Sequence, residues 1–410
     1  MREGIRRGIR LGACGMAAAI GLLAAAELRA EEAPQVYTGT LGDQSVVVEL
    51  DLTQPNEVTG RYFYQKYHLD LPLSGTLVNH DLSMSEGLDA LDDTPHPTIS
   101  LQPAEQGWQG EWRSPQGKVL PLQLTQAHPT AAAGEDAYLA TLADSDPYEY
   151  LRLHGLRLQR DKPQTVMGYA IQWWREPQSG IRLFEILSGY PPAQLETLNR
   201  QLRARLWQEV VDYHACQLGA SRFGQGEFFQ TVTPTLLSPA VVSVSVFTSY
   251  DCGGAHPDFG DAPLNLNAQT GEKLALEDVL WLGEGKPFHY LYEENSFYDG
   301  GQDADETTDS VSFDDYAAYR SHTLAPWLVR QFQTLYPEQM AVPAEGDEDG
   351  CNFSDPEIWN FPAWYFTPQG IWFGPSFARV MRACEGESWS VLPWKQITGH
   401  PGGVALALPK

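Results

Sequence analysis

Three side chains of the types that carry out covalent hydrolysis lie close together in the middle of the chain: Ser249, Asp251 and His256. A serine acts as a nucleophile when a histidine removes its proton and a carboxylate orients that histidine. The Gly-x-Ser-x-Gly pattern that places such a serine on a sharp turn does not surround Ser249. We therefore expect no catalytic role for this group.

The same part of the chain contains a turn motif. Residues 253–257 read Gly-Gly-Ala-His-Pro and follow a run of alternating valines and serines. Paired glycines permit a left-handed backbone or a close approach of two segments, and proline fixes the exit from a turn. We expect a tight turn in which His256 is hydrogen-bonded to the backbone. Contact with a partner is the other role predicted for Asp251, His256 and Pro257.

Acidic side chains are concentrated in residues 299–309, where Asp303, Asp305 and Asp309 lie near the offsets of a calcium loop. Thr308, however, stands where such a loop needs glycine. A solvated acidic loop is therefore the favoured interpretation, here and for residues 345–349. The ten histidines show no His-x-x-x-His spacing, and we predict neither a bound metal nor a cofactor.

The elements that must position these residues begin after an N-terminal export signal. Four arginines within the first ten residues precede an uncharged run over residues 11–26. This is the order of regions in a secretory signal peptide, and the run is shorter than the ~20 residues that span a bilayer. The sequence predicts a signal peptide over residues 1–30, with cleavage after Ala26 or Ala30. We expect the mature protein in the periplasm or secreted, without a membrane anchor.

The charge balance is strongly acidic. The chain has 27 Lys and Arg against 53 Asp and Glu, a formal net charge of −26, and removal of residues 1–30 leaves −29. Charge on this scale repels nucleic acid, which we exclude as a partner, and attracts cationic proteins. The mature length exceeds what one hydrophobic core usually serves, so two domains are expected.

Four cysteines follow the predicted signal peptide, an even number in a compartment that favours oxidation. We expect two disulfides. Of the three pairings we favour Cys216–Cys252 with Cys351–Cys384, because each joins segments close in sequence. The absence of a Cys-x-x-Cys pair argues against zinc.

Residues 34–160 are predicted to form an antiparallel β-sheet or a small barrel, because short β-branched and aromatic runs alternate with turn residues. The segment contains an internal echo. Gly-Arg-Tyr at 60–62 leads to Leu-Pro-Leu at 71–73, and Gly-Glu-Trp at 110–112 leads to Leu-Pro-Leu at 120–122. These two stretches predict two similar hairpins.

Residues 165–410 are predicted to form a second domain of mixed helix and strand, so the fold class is α+β. Leucines at three- and four-residue steps after Pro191 indicate a long helix. Valines alternate with serines over residues 242–246, which indicates a strand with one buried face. Ser312 has the type and spacing of an N-cap, and Pro326 should kink or split the helix that follows.

The Gly-Gly-Ala-His-Pro segment is part of a longer pattern. Tyr-Asp-Cys precedes it at 250–252, Leu-Asn-Leu-Asn follows at 264–267, and Thr-Gly-Glu-Lys-Leu follows at 270–274. With the aromatic segment 365–373, this pattern resembles an extracytoplasmic domain of RsiV-type anti-sigma factors, which are lysozyme receptors. The same domain forms the non-catalytic part of PdaC-type peptidoglycan deacetylases. The resemblance covers residues 165–398.

The resemblance implies a binding role rather than catalysis. By analogy, partner contacts are expected around Pro375, Phe377 and Arg379 together with the turn at 251–257. The family segment after Phe373 usually reads Pro-Tyr-Glu, which the chain replaces by Pro-Ser-Phe-Ala after one glycine. The chain also lacks the Thr-Phe-Asp-Asp-Gly motif of the deacetylases.

Two functions from different classes follow. The favoured one is a non-enzymatic periplasmic binding or sensing protein whose acidic surface engages a cationic partner, with lysozyme as the candidate that the resemblance implies. The alternative is a hydrolase of envelope material, whose active site cannot be assembled from the sequence.

Overall fold

The computed structural model describes residues 34–87, 95–291, 311–344 and 350–409. The predicted signal peptide and both acidic stretches, 299–309 and 345–349, lie outside these residues. Within them, no helix is both long and apolar enough to cross a membrane.

The first eight strands form a closed antiparallel barrel, which decides between the sheet and the barrel predicted for this region. Each strand pairs with the next, and β1 pairs with β8 to close the circle. The strands are β1 Gln35–Leu41, β2 Gln44–Asp51, β3 Val58–Tyr64, β4 Asp70–Val78, β5 Asp81–Glu86, β6 Thr98–Ala104, β7 Gly107–Arg113 and β8 Val119–Gln126.

The barrel interior is a packed core. Its inward side chains are mostly aliphatic, with Tyr37, Tyr62 and Trp108 among them, and they leave a cavity of only about 10 Å³, room for at most one water molecule. Glycines allow the strands to approach closely: a Cβ at Gly39 would lie 1.8 Å from the Gln123 carbonyl oxygen, and one at Gly110 would lie 1.9 Å from the Ser100 carbonyl oxygen. Among the described residues, the barrel interior is therefore filled by side chains.

The two predicted hairpins are confirmed as β3–β4 and β7–β8, and they share one register. Tyr62 faces Leu71 in the first hairpin, and Trp112 faces Leu120 in the second. The Tyr62 hydroxyl and the Trp112 indole N–H both donate to Glu86 Oε2, at 2.6 and 2.8 Å. The sequence echo thus reflects equivalent positions in the barrel.

The sheet prediction is wrong for the end of this region, which folds into helices α1 Ala137–Ser145 and α2 Pro147–His154. Asp146 ends α1 and caps α2, since its Oδ1 accepts from Glu149 N at 3.0 Å. Leucines of both helices pack in the core of the following region, whereas Tyr148 packs against barrel residues. A domain boundary between residues 160 and 165 stays a prediction.

The rest of the chain is mixed, so the α+β class is confirmed. Its remaining elements are β9 Gln159–Arg160, β10 Gln164–Val166, β11 Tyr169–Arg175, β12 Arg182–Ser188, α3 Pro192–Ala220, β13 Glu227–Leu237, β14 Val241–Asp251, β15 Asp258–Asp261, β16 Leu264–Asn267, α4 Phe313–Tyr319, α5 Ala325–Leu335, β17 Ala363–Thr367, β18 Gly370–Gly374, β19 Val391–Pro393 and α6 Trp394–Thr398.

Strand β14 is the centre of this mixed region. It pairs with β13 along one edge and with β16 and β15 along the other. Its first six residues are buried on both faces, because α3 and the β9–β12 sheet cover one face while the α5 and β17–β19 layer covers the other. Its last residues emerge from between these layers. The strand prediction was correct, but both faces of this end are buried rather than one.

The remaining local predictions agree with the structure. The leucine pattern after Pro191 forms α3, and the Ser312 hydroxyl accepts from Asp315 N at 3.1 Å. A π-turn at Arg320–Leu324 separates α4 from α5, and Pro326 lies in the first turn of α5. Both favoured disulfides, Cys216–Cys252 and Cys351–Cys384, are present.

A buried cluster of charges joins the barrel to α2. The Arg152 guanidinium is fully buried and pairs with Asp70 at 2.7 Å and with Glu149 at 2.8 Å. Arg61 of β3 pairs with Glu149 at 3.1 Å, and the Tyr148 hydroxyl donates to Asp70 at 2.6 Å. We call this set, Arg61, Asp70, Tyr148, Glu149 and Arg152, the junction cluster.

Candidate functional site

The turn at 251–257 begins where β14 leaves the protein interior. The disulfide from Cys252 to Cys216 ties it to α3. Gly253 has a φ of 80°, and a Cβ there would lie 2.7 Å from the Gly219 carbonyl oxygen, so only glycine fits without strain. A Cβ at Gly254 would meet no atom within 4 Å. Of the paired glycines, only the first is required by this fold.

His256 is exposed and contacts Arg379, which lies 123 residues further along the chain. The guanidinium Nε and Nη2 lie 3.0 and 2.7 Å from His256 Nδ1. Because guanidinium groups only donate, Nδ1 accepts and is unprotonated. It therefore cannot also donate to the Pro257 carbonyl oxygen, 3.2 Å away. The predicted backbone lock is replaced by a contact with a second segment.

Arg379 opens a 3₁₀ turn, Arg379–Cys384, that lies against strand β15. Asp258 accepts from Arg382 at 3.1 Å and lies 3.6 Å from Arg379. Arg382 also lies over the Phe259 ring, at 5.1 Å from its centroid, and donates to the Phe259 carbonyl oxygen. Two arginines and a carboxylate thus hold the 3₁₀ turn against the turn after β14.

The structure brings the two predicted segments together, but their residues have different exposures. Asp251 Oδ1 accepts from Gly253 N at 3.2 Å, and Pro257 is exposed. Pro375 is buried, and Phe377 is 9% exposed and packs edge-on against another phenylalanine of the core. These two residues therefore support the surface from below, while the Arg379 side chain, 54% exposed, forms part of it.

Three exposed apolar residues each lie next to one of these two segments, and the sequence interpretation missed all of them. Val380 is 91% exposed, Phe229 is 67% exposed and Phe223 is 61% exposed. Val380 directly follows Arg379, and Phe223 lies 3.1 Å from the Cβ position of Gly253. Phe229 could have been found from strand parity, because its neighbour Phe228 is buried and alternate residues face opposite sides.

Phe229 also belongs to an aromatic row across the sheet. It pairs in register with Ser249, which pairs with Phe259, so the three side chains share one face. Phe247 lies on the same face, with its ring centroid 5.8 Å from that of Phe259. We define the corner surface as His256, Arg379 and Val380 with the exposed phenylalanines Phe223 and Phe229.

Burial changes the titration of one group beneath the corner surface. Desolvation raises the pKa of Tyr250 above its usual range, the Asp258 carboxylate acts in the same direction, and the two arginines of the 3₁₀ turn oppose it. Tyr250 is therefore neutral at physiological pH, and the two arginines and the surrounding carboxylates set the local charge.

The arrangement does not support the catalytic interpretation of the turn. No hydrogen bond links Ser249, Asp251 and His256 in the described part of the chain, and the His256 nitrogen that faces the protein is occupied by Arg379. The described residues contain two histidine–carboxylate pairs, His154–Glu135 and His289–Asp278, each at 2.8 Å. Neither has a serine or cysteine in hydrogen-bond contact among the described residues.

Metal chemistry has no support within the described ranges either, since no group of three or more His, Cys, Asp or Glu side chains could hold an ion there. Comparison with protein-family models and with curated proteins finds no match to this chain.

Proposed function

We propose that the protein is an exported, non-enzymatic binding protein, and that the corner surface contacts a basic protein partner. The observation that carries the proposal is the exposure of Val380 directly after the half-exposed Arg379. Two further exposed rings lie near the turn at 251–257: Phe223 lies at Gly253, and Phe229 is in register with Ser249. Aromatic residues and arginine dominate the binding energy of protein interfaces, and clustered apolar exposure marks interaction sites.

The charge of the protein supports a basic partner. The chain has a net charge of −26, which speeds association with cationic proteins at low salt. Within the corner, Asp258 pairs with Arg379 and Arg382, and Glu385 also pairs with Arg382, so two carboxylates balance the charge of the two arginines. The net charge of the protein would thus first attract a basic partner, and apolar contacts at the corner surface would then bind it. Lysozyme is the basic protein that the family resemblance suggests.

The test is surface plasmon resonance with mature, oxidised protein and hen-type lysozyme at low salt. Val380→Ser and Phe229→Ser should each weaken binding roughly tenfold, because an interface anchor contributes more than ~1 kcal/mol. The matched control is Val78→Ser on the barrel, a valine that is 56% exposed and should not matter. Equal affinities for all variants would reject the corner surface.

A further inference from the structure

A buried histidine on α3 lacks hydrogen-bond partners. His214 is 1% exposed, and neither its Nδ1 nor its Nε2 makes a hydrogen bond to the described part of the chain. Buried polar side chains nearly always have a partner, so an exception calls for an explanation. A protein interior tolerates an unpaired neutral imidazole at moderate cost, whereas an unpaired imidazolium costs far more. The position of His214 therefore depends on the ring staying uncharged.

His214 lies where the barrel, α2 and α3 meet. Helix α3 packs against β4, and α2 packs against β2. The β3–β4 turn belongs to the same place, because His68 of this turn acts electrostatically on the His214 ring. The turn also contacts the β11–β12 hairpin, since Gln178 Nε2 donates to the Tyr67 carbonyl oxygen at 2.6 Å. The histidine thus belongs to the contact between the barrel and the mixed region, which the junction cluster also joins.

Three groups from other elements act on the His214 ring, and each carries or can carry a positive charge. They are Arg152 of α2, Arg61 of β3 and His68 of the β3–β4 turn. On α3 itself, the Tyr213 and His214 ring centroids are 5.2 Å apart. Burial, followed by the Glu176 carboxylate, raises the pKa of Tyr213 above its usual range, so this ring stays neutral. His214 therefore faces cations and a neutral ring.

The carboxylates of this contact are already bonded to other groups. Asp70 and Glu149 pair with the arginines of the junction cluster. Glu176 is 2% exposed and accepts from two backbone N–H groups of the β11–β12 turn, at 3.0 and 2.6 Å. No carboxylate of the described residues accepts from His214. A proton on the ring would therefore find no hydrogen-bond acceptor while the contact is closed.

Titration of the ring is coupled to opening of the contact. Burial, followed by the positive charges of Arg152 and the other two groups, holds the pKa of His214 well below its usual range. Burial and Arg152 also lower the pKa of His68, against the opposing effect of Glu176. If the contact opens, water reaches His214 and its pKa returns to about 6.5. The open state then binds a proton below this pH that the closed state does not bind, so acid favours the open state.

We infer that His214 is an acid-sensitive switch: protonation of its ring loosens the contact of the barrel with α2, α3 and the β11–β12 hairpin. One proton changes the ratio of open to closed molecules by at most about tenfold per pH unit, so this ratio should rise by up to roughly 30-fold between pH 6.5 and pH 5. The opening is local, and the core around β14 stays folded. The inference is independent of the proposed function.

The test is amide hydrogen exchange of the mature, oxidised protein at pH 7 and pH 5, expressed as protection factors to remove the intrinsic effect of pH. Protection in residues 66–70 and 176–180 should fall at least about tenfold at the lower pH, whereas protection in residues 241–246 of β14 should change less than about twofold. A uniform fall in all three segments would show global unfolding. Either that result or unchanged protection everywhere would overturn the inference.

The variant that isolates the histidine is His214→Leu, which removes both nitrogens at similar volume and introduces a good helix former. Its protection in residues 66–70 should fall no more than about threefold at pH 5, the part that His68 contributes. The matched control is His322→Leu at an exposed position of the π-turn, which should respond to acid like the native protein. Other titrating groups are unchanged, so equal acid responses of His214→Leu and the native protein would contradict the switch.

The histidine ring signals of the native protein give a measurement that needs no variant. In carbon–proton spectra, the His214 signal of the closed state should keep the chemical shift of a neutral ring from pH 7 to pH 5, because the closed contact excludes the proton. An ordinary titration of His214 with a midpoint near pH ~6.5 and unchanged amide protection would overturn the inference.

Discussion

Two arginine–carboxylate clusters among the described residues, the junction cluster and the one at the corner surface, differ in burial. In the junction cluster, Arg152 is fully buried and pairs with Asp70 and Glu149. At the corner surface, Arg379 is half exposed and lies 3.6 Å from Asp258. The first cluster holds two parts of the fold together, whereas the second leaves a guanidinium face available to a partner. Both clusters contain the same residue types, so residue type does not distinguish a structural role from a binding role. The burial of the arginine side chain does.

The largest expected effect is at the junction. Arg152→Ala should lower the free energy of unfolding by about 3–5 kcal/mol, because it leaves two buried carboxylates, Asp70 and Glu149, with Arg61 as the remaining cation. Urea unfolding of the mature protein measures this loss. Arg113→Ala on the barrel, which removes an exposed pair with Glu111, is the control and should cost less than ~0.5 kcal/mol. Similar losses in both variants would contradict the structural role of the junction.

The second prediction tests whether Phe377 supports the corner surface from the core or contacts the partner directly. Phe377→Ala should destabilise the protein by about 3 kcal/mol, since the ring is 9% exposed and packs against Phe353. Thermal unfolding measures the change. If Phe377 were instead a surface residue that contacts the partner, Phe377→Ala would weaken binding and leave the stability of the protein unchanged. A stable Phe377→Ala protein with lost lysozyme binding would restore that expectation.

The third prediction concerns pH at the boundary between α1 and α2. Burial, followed by the nearby Glu149 carboxylate, raises the pKa of Asp146 to about 7. The folded state therefore binds a proton that the unfolded state releases above pH ~4, so this group lowers stability as pH rises from about 4 to 7. Asp146→Asn keeps the helix cap and removes the titration.

Relative to the native protein, Asp146→Asn should gain roughly 1–3 kcal/mol of stability between pH 4 and pH 8. Chemical unfolding at several pH values measures the difference. Asp144→Asn, at an exposed position two residues away, is the control and should show no such trend. Parallel pH profiles for Asp146→Asn and the native protein would contradict the assignment.

The smallest stability effect is expected at the corner surface itself. Arg379→Ala should change the free energy of unfolding by less than ~1 kcal/mol, because its partners His256 and Asp258 are reached from a solvent-exposed position. The same change should weaken binding of a basic protein partner through loss of a surface contact. Calorimetry and surface plasmon resonance on one preparation give both values. A large stability loss would make this cluster structural like the junction.

The sequence specified much of the fold where the signal is local. The leucine steps of α3, the cap at Ser312 and the two echoed hairpins each lie within one stretch of chain, so periodicity and turn residues suffice. The disulfide pairing followed from sequence proximity. Helix α2 was missed although its signal is present: Asp146, Pro147 and Glu149 stand at the N-cap, first and third helical positions.

The candidate site was harder to predict because it depends on a contact across 123 residues of sequence. The turn at 251–257 has a local signature, but the pairing of His256 with Arg379 does not. The burial of Pro375 and Phe377 could not be predicted either. These residues lie outside the helices and strands, so no hydrophobic periodicity marks them as buried. The junction cluster was missed because isolated Arg and Asp residues on separate elements look like ordinary surface charges.

The most direct test of the contrast between the two clusters is hydrogen exchange of the mature, oxidised protein with and without saturating lysozyme at low salt. The account predicts added protection in residues 222–231, 249–259 and 379–385, and unchanged exchange around Asp70 and Arg152. Protection confined to other surfaces, or no protection and no saturable binding, would contradict the corner surface as the binding site.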